Sequence, residues 1–172
     1  MESIKLHIGC GTNRRDGYIN IDCYHTGAED LVLDVVQEGI PFKDVGIIES
    51  YHFIDCIYKF EAIEVLKKFY NVLKVGGKMI MEMSTLEGSI KFFQSNDPKM
   101  HAFGKWGFFG DQDKIYPGSV YHKYVWEVCE MRKVLLSIGF KIIKETNKTE
   151  THVSGRDYRF ECIKINESTN IS

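Results

Sequence analysis

At 172 residues, 44% apolar and 27% charged, the chain suits one domain with a sizeable core. A formal charge of −2 gives no broad basic field for holding nucleic acid without sequence preference, so nucleic acid is not an expected partner. No apolar run approaches the roughly 18 residues of a membrane span, and the opening MESIKLHI lacks the pattern of a secretory leader.

In chain order, Ile4–Ile8 reads as a buried strand ending in the glycine turn Gly9-Cys10-Gly11. Tyr18–Asp22 is a second strand, and Leu31–Asp34 a third that also ends on a carboxylate. Gly46–Tyr51 is a fourth. The period then changes: between Glu61 and Lys74 the apolar residues fall at helical spacing, and Gly76-Gly77 stops the run. Lys78–Met83 follows as a fifth strand. Residues 94–122 break the pattern, with glycines and prolines among Phe103, Trp106, Phe108, Phe109, Tyr116 and Tyr121, and suit a lid or substrate-binding insertion. A second helix is predicted over Tyr124–Ile138, stopped by Gly139. Phe140–Glu145 and Tyr158–Ile165 close the chain as strands, one of them antiparallel because no helix separates them. The order predicts an α/β domain with a mostly parallel sheet. The cysteines at 10, 23, 56, 129 and 162 are odd in number and contain no CxxC pair, which predicts free thiols, a reducing cytoplasmic setting and no metal centre.

Parallel sheets bind ligands outside the carboxyl ends of their strands. Gly9–Gly11, Asp22, Asp34 and the stretch Ser50–Asp55 all fall on such ends. Glycines admit a ligand close to the backbone. A carboxylate can accept from both hydroxyls of a ribose, and a second can accept from an adenine amino group. Only five residues separate Gly11 from Gly17, too few for the crossover helix that holds a pyrophosphate. Residue 14, where a third glycine would stand, is Arg14. The pattern favours an adenosine cofactor without phosphate, such as S-adenosylmethionine, over a dinucleotide.

The segments LHIGCG, GYINID, LVLD, IPF, SYHFID, LKVGG and IGF, in this order, resemble a class I S-adenosylmethionine-dependent methyltransferase. They are most similar to the small subfamily patterned LNLGCG…GWINVD…LPF…HVLEH…LKPGG…GF. The resemblance spans Ile4 to about Ile165. It implies a Rossmann-like three-layer sandwich, with a mostly parallel seven-stranded sheet whose last strand is reversed. It also implies that Gly9, Cys10 and Gly11 wrap the methionine part, that Asp22 holds the ribose, and that Asp34 and Val35 face the adenine. His7 replaces the usual acidic residue before the glycines, and Ser50 stands at the next strand end; both join the expected cofactor set. His7 on a strand is read first as a hydrogen-bonded core residue. Further departures are Asn13 for a glycine, Asp55-Cys56 for Glu-His, and Val75 for proline.

His52, oriented by Asp55, is the first candidate general base, and His122 the second. The expected activity is methyl transfer to oxygen or nitrogen of a small-molecule or saccharide acceptor. Two alternatives remain: a non-catalytic relative that acts through protein contacts, and a nucleotide-dependent oxidoreductase.

Overall fold

The computed structural model describes residues 3–112 and 121–166. Seven strands form one sheet: β1 Lys5–Ile8, β2 Ile19–Asp22, β3 Leu31–Val32, β4 Val45–Tyr51, β5 Leu73–Ser84, β6 Phe140–Thr146 and β7 Asp157–Lys164. Their spatial order is β3-β2-β1-β4-β5-β7-β6. Every pairing from β3 to β5 is parallel, and β7 runs antiparallel to both of its neighbours. The reversed last strand matches the expected architecture. Helices α1 Lys59–Val72, α2 Leu86–Phe93, α3 Pro98–Phe109 and α4 Val128–Ile138 complete the fold. Among the described residues no helix is long and apolar enough to cross a membrane.

The core follows from the apolar runs. Leu6 and Ile8 of β1, Ile48 of β4 and Met79, Met81 and Met83 of β5 are fully buried beside Leu66 and Phe69 of α1. Trp126 is wholly buried and joins β5's end through a bridge between Thr85 and Trp126. Burying such side chains stabilises by about 1.5–3 kcal/mol each.

Helix α1 begins two residues before the predicted start, where Glu61 accepts from the Tyr58 amide at 3.0 Å. It ends at Val72, and Gly76-Gly77 lie inside β5 instead of capping the helix. A Cβ on Gly77 would stand 2.8 Å from the carbonyls of Lys74 and Val45, so close packing is what requires glycine there.

The largest difference from the sequence reading lies in residues 94–122. Much of that segment is helix α3, packed on α2. Asp97 caps it by accepting from the amides of Lys99 and Met100, with Pro98 in the first turn. Gly104 and Gly107 form its contact face: a Cβ would meet Phe93 N at 2.3 Å and Ser89 Oγ at 2.1 Å respectively. Phe108 joins this face against Phe93 while Phe103 and Trp106 line the cleft, so no polar stripe reveals the period. Residues 113–120 of the expected lid, Tyr116 among them, lie outside the described residues.

Candidate active site

The strand order places the switch point between β1 and β4, where neighbours to one side are β2 and β3 and to the other β5 and β7. A cleft of about 630 Å³ opens there, across the carboxyl ends of the parallel strands. Gly9–Asn13 form its floor, Leu33–Gln37 one wall, and Phe103, Trp106, His122, His152 and Arg156 the other.

The floor and first wall are shaped by carboxylates that grip backbone. Asp22 Oδ2 accepts from Gly11 N at 2.8 Å, and its Oδ1 accepts from Tyr24 N at 3.1 Å. Both oxygens keep lone pairs, and Asp22 lines the cleft. Asp34 Oδ1 accepts from Val36 N at 2.9 Å and Gln37 N at 3.2 Å, so Asp34 caps the turn after β3 while facing the cleft. Val35 lies in the same wall, almost wholly buried. Gly9 adopts φ +70°, and its backbone also presses on Phe53: a Cβ would stand 2.6 Å from Phe53 Cβ. Gly11 adopts φ +53° with open space before it. Of these two glycines, only Gly11 leaves room that a ligand could use directly. Cys10 is buried beside Asp22, and burial pushes its thiol up to about 12. Such a thiol is a packing group, not a nucleophile.

Two expected cofactor positions lie off this cleft. Ser50 is buried inside β4 and does not line it. His7 is buried; its Nδ1–H donates to Asn20 Oδ1 at 3.1 Å, and its ring stands edge-on to Tyr51. The Asn20 amide nitrogen is spent on Arg15, Tyr18 and Asp30, which fixes the carbonyl toward His7. Burial holds the His7 pKa below its ordinary value. His7 borders a smaller side pocket, with Arg14, Arg15 and Tyr51. The strand pattern carried the core alternative for His7, and the structure favours it.

The opposite wall is built from side-chain charges. His52 follows β4 at φ +54°, a left-handed conformation uncommon outside glycine. Its Nδ1 lies 3.2 Å from Asp55 Oδ2 and its Nε2 lies 3.3 Å from Asp157 Oδ2. Burial alone would lower the imidazole pKa, but contacts with Asp157 and Asp55 outweigh it and hold the pKa at about 9. Asp157 is also gripped by Arg156 through two bonds of 2.5 and 2.9 Å, and despite its burial these partners keep its pKa at about 2. The His152 ring lies 4.1 Å from that of His52. Burial, then the charge on His52, push His152 down to about 4. The segment carrying His152 is tied to Glu82 of β5, which accepts from the amides of Glu150 and Thr151.

Asp55 is fully buried, and its Oδ2 also accepts from Ser84 N at 3.0 Å. Its backbone carbonyl accepts from the amides of Lys123 and Tyr124, which brings His122 beside it. His122 Nδ1 must carry a proton, because its partner at 2.9 Å is the Gly107 carbonyl; Nε2 keeps the lone pair. One donor atom each from His52, Asp55 and His122 lie within 4.8 Å of one another. The three residues named as candidate catalysts therefore do meet. The sequence reading missed His152 and Arg156, from the turn THVSGR before β7, and Asp157, the first residue of β7. The Ser-Gly punctuation marked a turn, but nothing in the sequence placed that turn against β4.

Neither a family model nor a curated protein matches the chain. Solved structures do. A methyltransferase dependent on S-adenosylmethionine from Methanosarcina mazei is 15% identical, with a TM-score of 0.64, over 97% of this chain and 95% of that one. One from Clostridium acetobutylicum is 13% identical, with a TM-score of 0.63, over 96% and 85%. The N-methyltransferase NodS from Bradyrhizobium japonicum, solved with S-adenosylhomocysteine, is 10% identical, with a TM-score of 0.60, over 95% and 79%. At this identity the likeness establishes the fold. The chain has the Rossmann-like fold of the S-adenosylmethionine-dependent methyltransferases.

Proposed function

We propose that the chain is an S-adenosylmethionine-dependent methyltransferase acting on oxygen or nitrogen of a small-molecule or saccharide acceptor. The observation that carries this reading is Asp22. It stands at the carboxyl end of β2, beside a glycine loop that opens no helix, at the switch point of the sheet. That arrangement suits a ribose and offers no dipole for a pyrophosphate. Gly9–Gly11 would flank the methionine part, Asp22 the ribose hydroxyls, and Asp34 with Val35 the adenine.

Bound cofactor would supply a methyl group on a sulfonium, whose departure leaves a neutral thioether. The protein's work is then to align the acceptor and keep water out. Phe103 and Trp106 of α3 form an aromatic wall for the acceptor, and residues 94–122 act together as the substrate-covering insertion. His52 is not a free base: both nitrogens face carboxylates, so it serves as a charged strut between Asp55 and Asp157. The lone pair on His122 Nε2 is the available proton acceptor when the acceptor must lose a proton.

Calorimetry tests the reading. S-adenosylmethionine should bind, and NAD should not. A hydrogen bond to a charged group contributes about 1.5–3 kcal/mol, so Asp22→Asn should weaken binding roughly 10- to 150-fold. Equal affinity in the variant removes the ribose assignment. Binding of NAD alone shifts the reading to an oxidoreductase, and binding of neither favours the non-catalytic alternative.

A further inference from the structure

The geometry points to a divalent transition-metal site formed by His52, Asp55 and His122 at the acceptor end of the cleft. The sequence reading expected no metal, on the ground that the cysteines are scattered and contain no CxxC pair. The fold assembles them from the end of β4 and from the segment before α4.

Three observations support the site. First, the spacing is that of ligands on one ion. Two ligands each about 2.0–2.1 Å from a tetrahedral zinc stand roughly 3.3 Å apart, and His52 Nδ1 lies 3.2 Å from Asp55 Oδ2. An ion between them would displace the Nδ1 proton of the metal-free strut, leaving Nε2–H on Asp157. A donor atom of His122 lies within 4.8 Å of both partners, a gap that a rotamer-scale movement closes. Second, Asp55 Oδ1 is buried and has no hydrogen-bond partner. A buried, unsatisfied carboxylate oxygen is costly, and coordination that takes in Oδ1 beside Oδ2 would satisfy it. Third, the supporting contacts are in place. Ser84 N donates to Asp55, the Gly107 carbonyl fixes the His122 tautomer, and Lys123 N ties the His122 segment to the Asp55 backbone. A ligating histidine usually donates its other ring N–H in this way.

Two imidazoles and one carboxylate suit zinc, iron, cobalt or manganese rather than calcium or magnesium, which prefer all-oxygen shells. Both histidines also line the cleft, so the remaining coordination position faces the acceptor space. An acceptor hydroxyl bound there would have its pKa lowered by the ion, in place of a free base at His122. This deepens the methyl-transfer reading at its acceptor end but is tested apart from it.

The test is cobalt(II) titration of the chelator-treated full chain, without cofactor or acceptor, followed by visible absorption and calorimetry. The expected result is a single equivalent bound, with d–d bands and no thiolate-to-cobalt charge transfer. His122→Ala and Asp55→Asn should weaken binding by more than the about 10- to 100-fold that loss of a supporting group costs. His101→Gln, at a ring that packs on Phe93, should leave it unchanged. If Asp55→Asn fails to fold by circular dichroism, His122→Ala decides alone. No binding by the folded parent overturns the proposal. So does equal binding by His122→Ala, or a thiolate band that assigns the metal to cysteine. None of these outcomes bears on S-adenosylmethionine affinity, so the two readings fail separately.

Discussion

The two walls of the cleft are held by different physics. On the β1–β3 side, carboxylates take backbone amides as partners: Asp22 holds Gly11 and Tyr24, and Asp34 holds Val36 and Gln37. On the β4–β7 side, side-chain charges hold one another: His52 between Asp55 and Asp157, with Arg156 behind. The first kind of contact fixes the shape of a loop and leaves lone pairs for a ligand. The second fixes charged side chains in a buried setting and leaves little freedom for proton transfer. The contrast implies that the first wall tolerates loss of a carboxylate far better than the second.

Substitution measures that contrast directly. Asp157→Ala removes one partner of a buried cluster and leaves Arg156 and His52 uncompensated, which should cost about 3–5 kcal/mol of stability in urea unfolding. Asp34→Ala removes a turn cap at a less buried position and should cost about 1 kcal/mol. Equal losses would mean that the two walls are not held differently.

The second wall should also show its own pH dependence. The folded pKa of His52, about 9, lies above the ordinary 6.5, so its contribution is complete below about 6.5 and is lost as pH rises through about 9. The opposite sign holds for His152: its folded pKa, about 4, lies below 6.5, so stability falls as pH drops from about 6.5 toward 4. Asp157 adds a loss as pH falls through about 2. In metal-free buffer the melting temperature should therefore peak near neutrality, and His52→Gln should flatten the alkaline limb. An alkaline limb that survives in His52→Gln places the titrating group elsewhere.

The smallest effect concerns α3, which bears on the second wall from outside the sheet. With cofactor and acceptor both bound, hydrogen exchange across Pro98–Phe109 should slow, while exchange in β5 hardly changes. Trp106 lines the cleft and Trp126 is fully buried, so the fluorescence response should come from Trp106 and vanish in Trp106→Phe. Protection of α3 equal to that of β5 without ligand would make it a fixed wall, and substrate would need another entrance.

What could be read in the sequence divides along the same line. The first wall is near-local: Gly9–Gly11, Asp22 and Asp34 sit at the ends of short apolar runs, Asp34 acts within its own turn, and Asp22 reaches only to the glycine loop of the neighbouring strand. The reversed strand was legible because two β-rich runs met with no helix between them. The second wall depends on residues far apart in the chain. His52 meets Asp157 only because β7 lies on the far side of β5 from β4, an order that no spacing encodes. Helix α3 escaped notice because its packing face is glycine, and Gly104 and Gly107 read as loop punctuation. The signals that remained were the Asp97-Pro98 start and the three-residue glycine repeat.

The tether between the Asp55 carbonyl and the amides of Lys123 and Tyr124 has a consequence for how such a chain can diversify. The chain is fastened there directly after His122. The α3 side chains that line the cleft, Phe103 and Trp106, take no part in that fastening, so they can be exchanged without pulling His122 from Asp55. The shape of the cleft could thus be rewritten from α3 while His122 keeps its address.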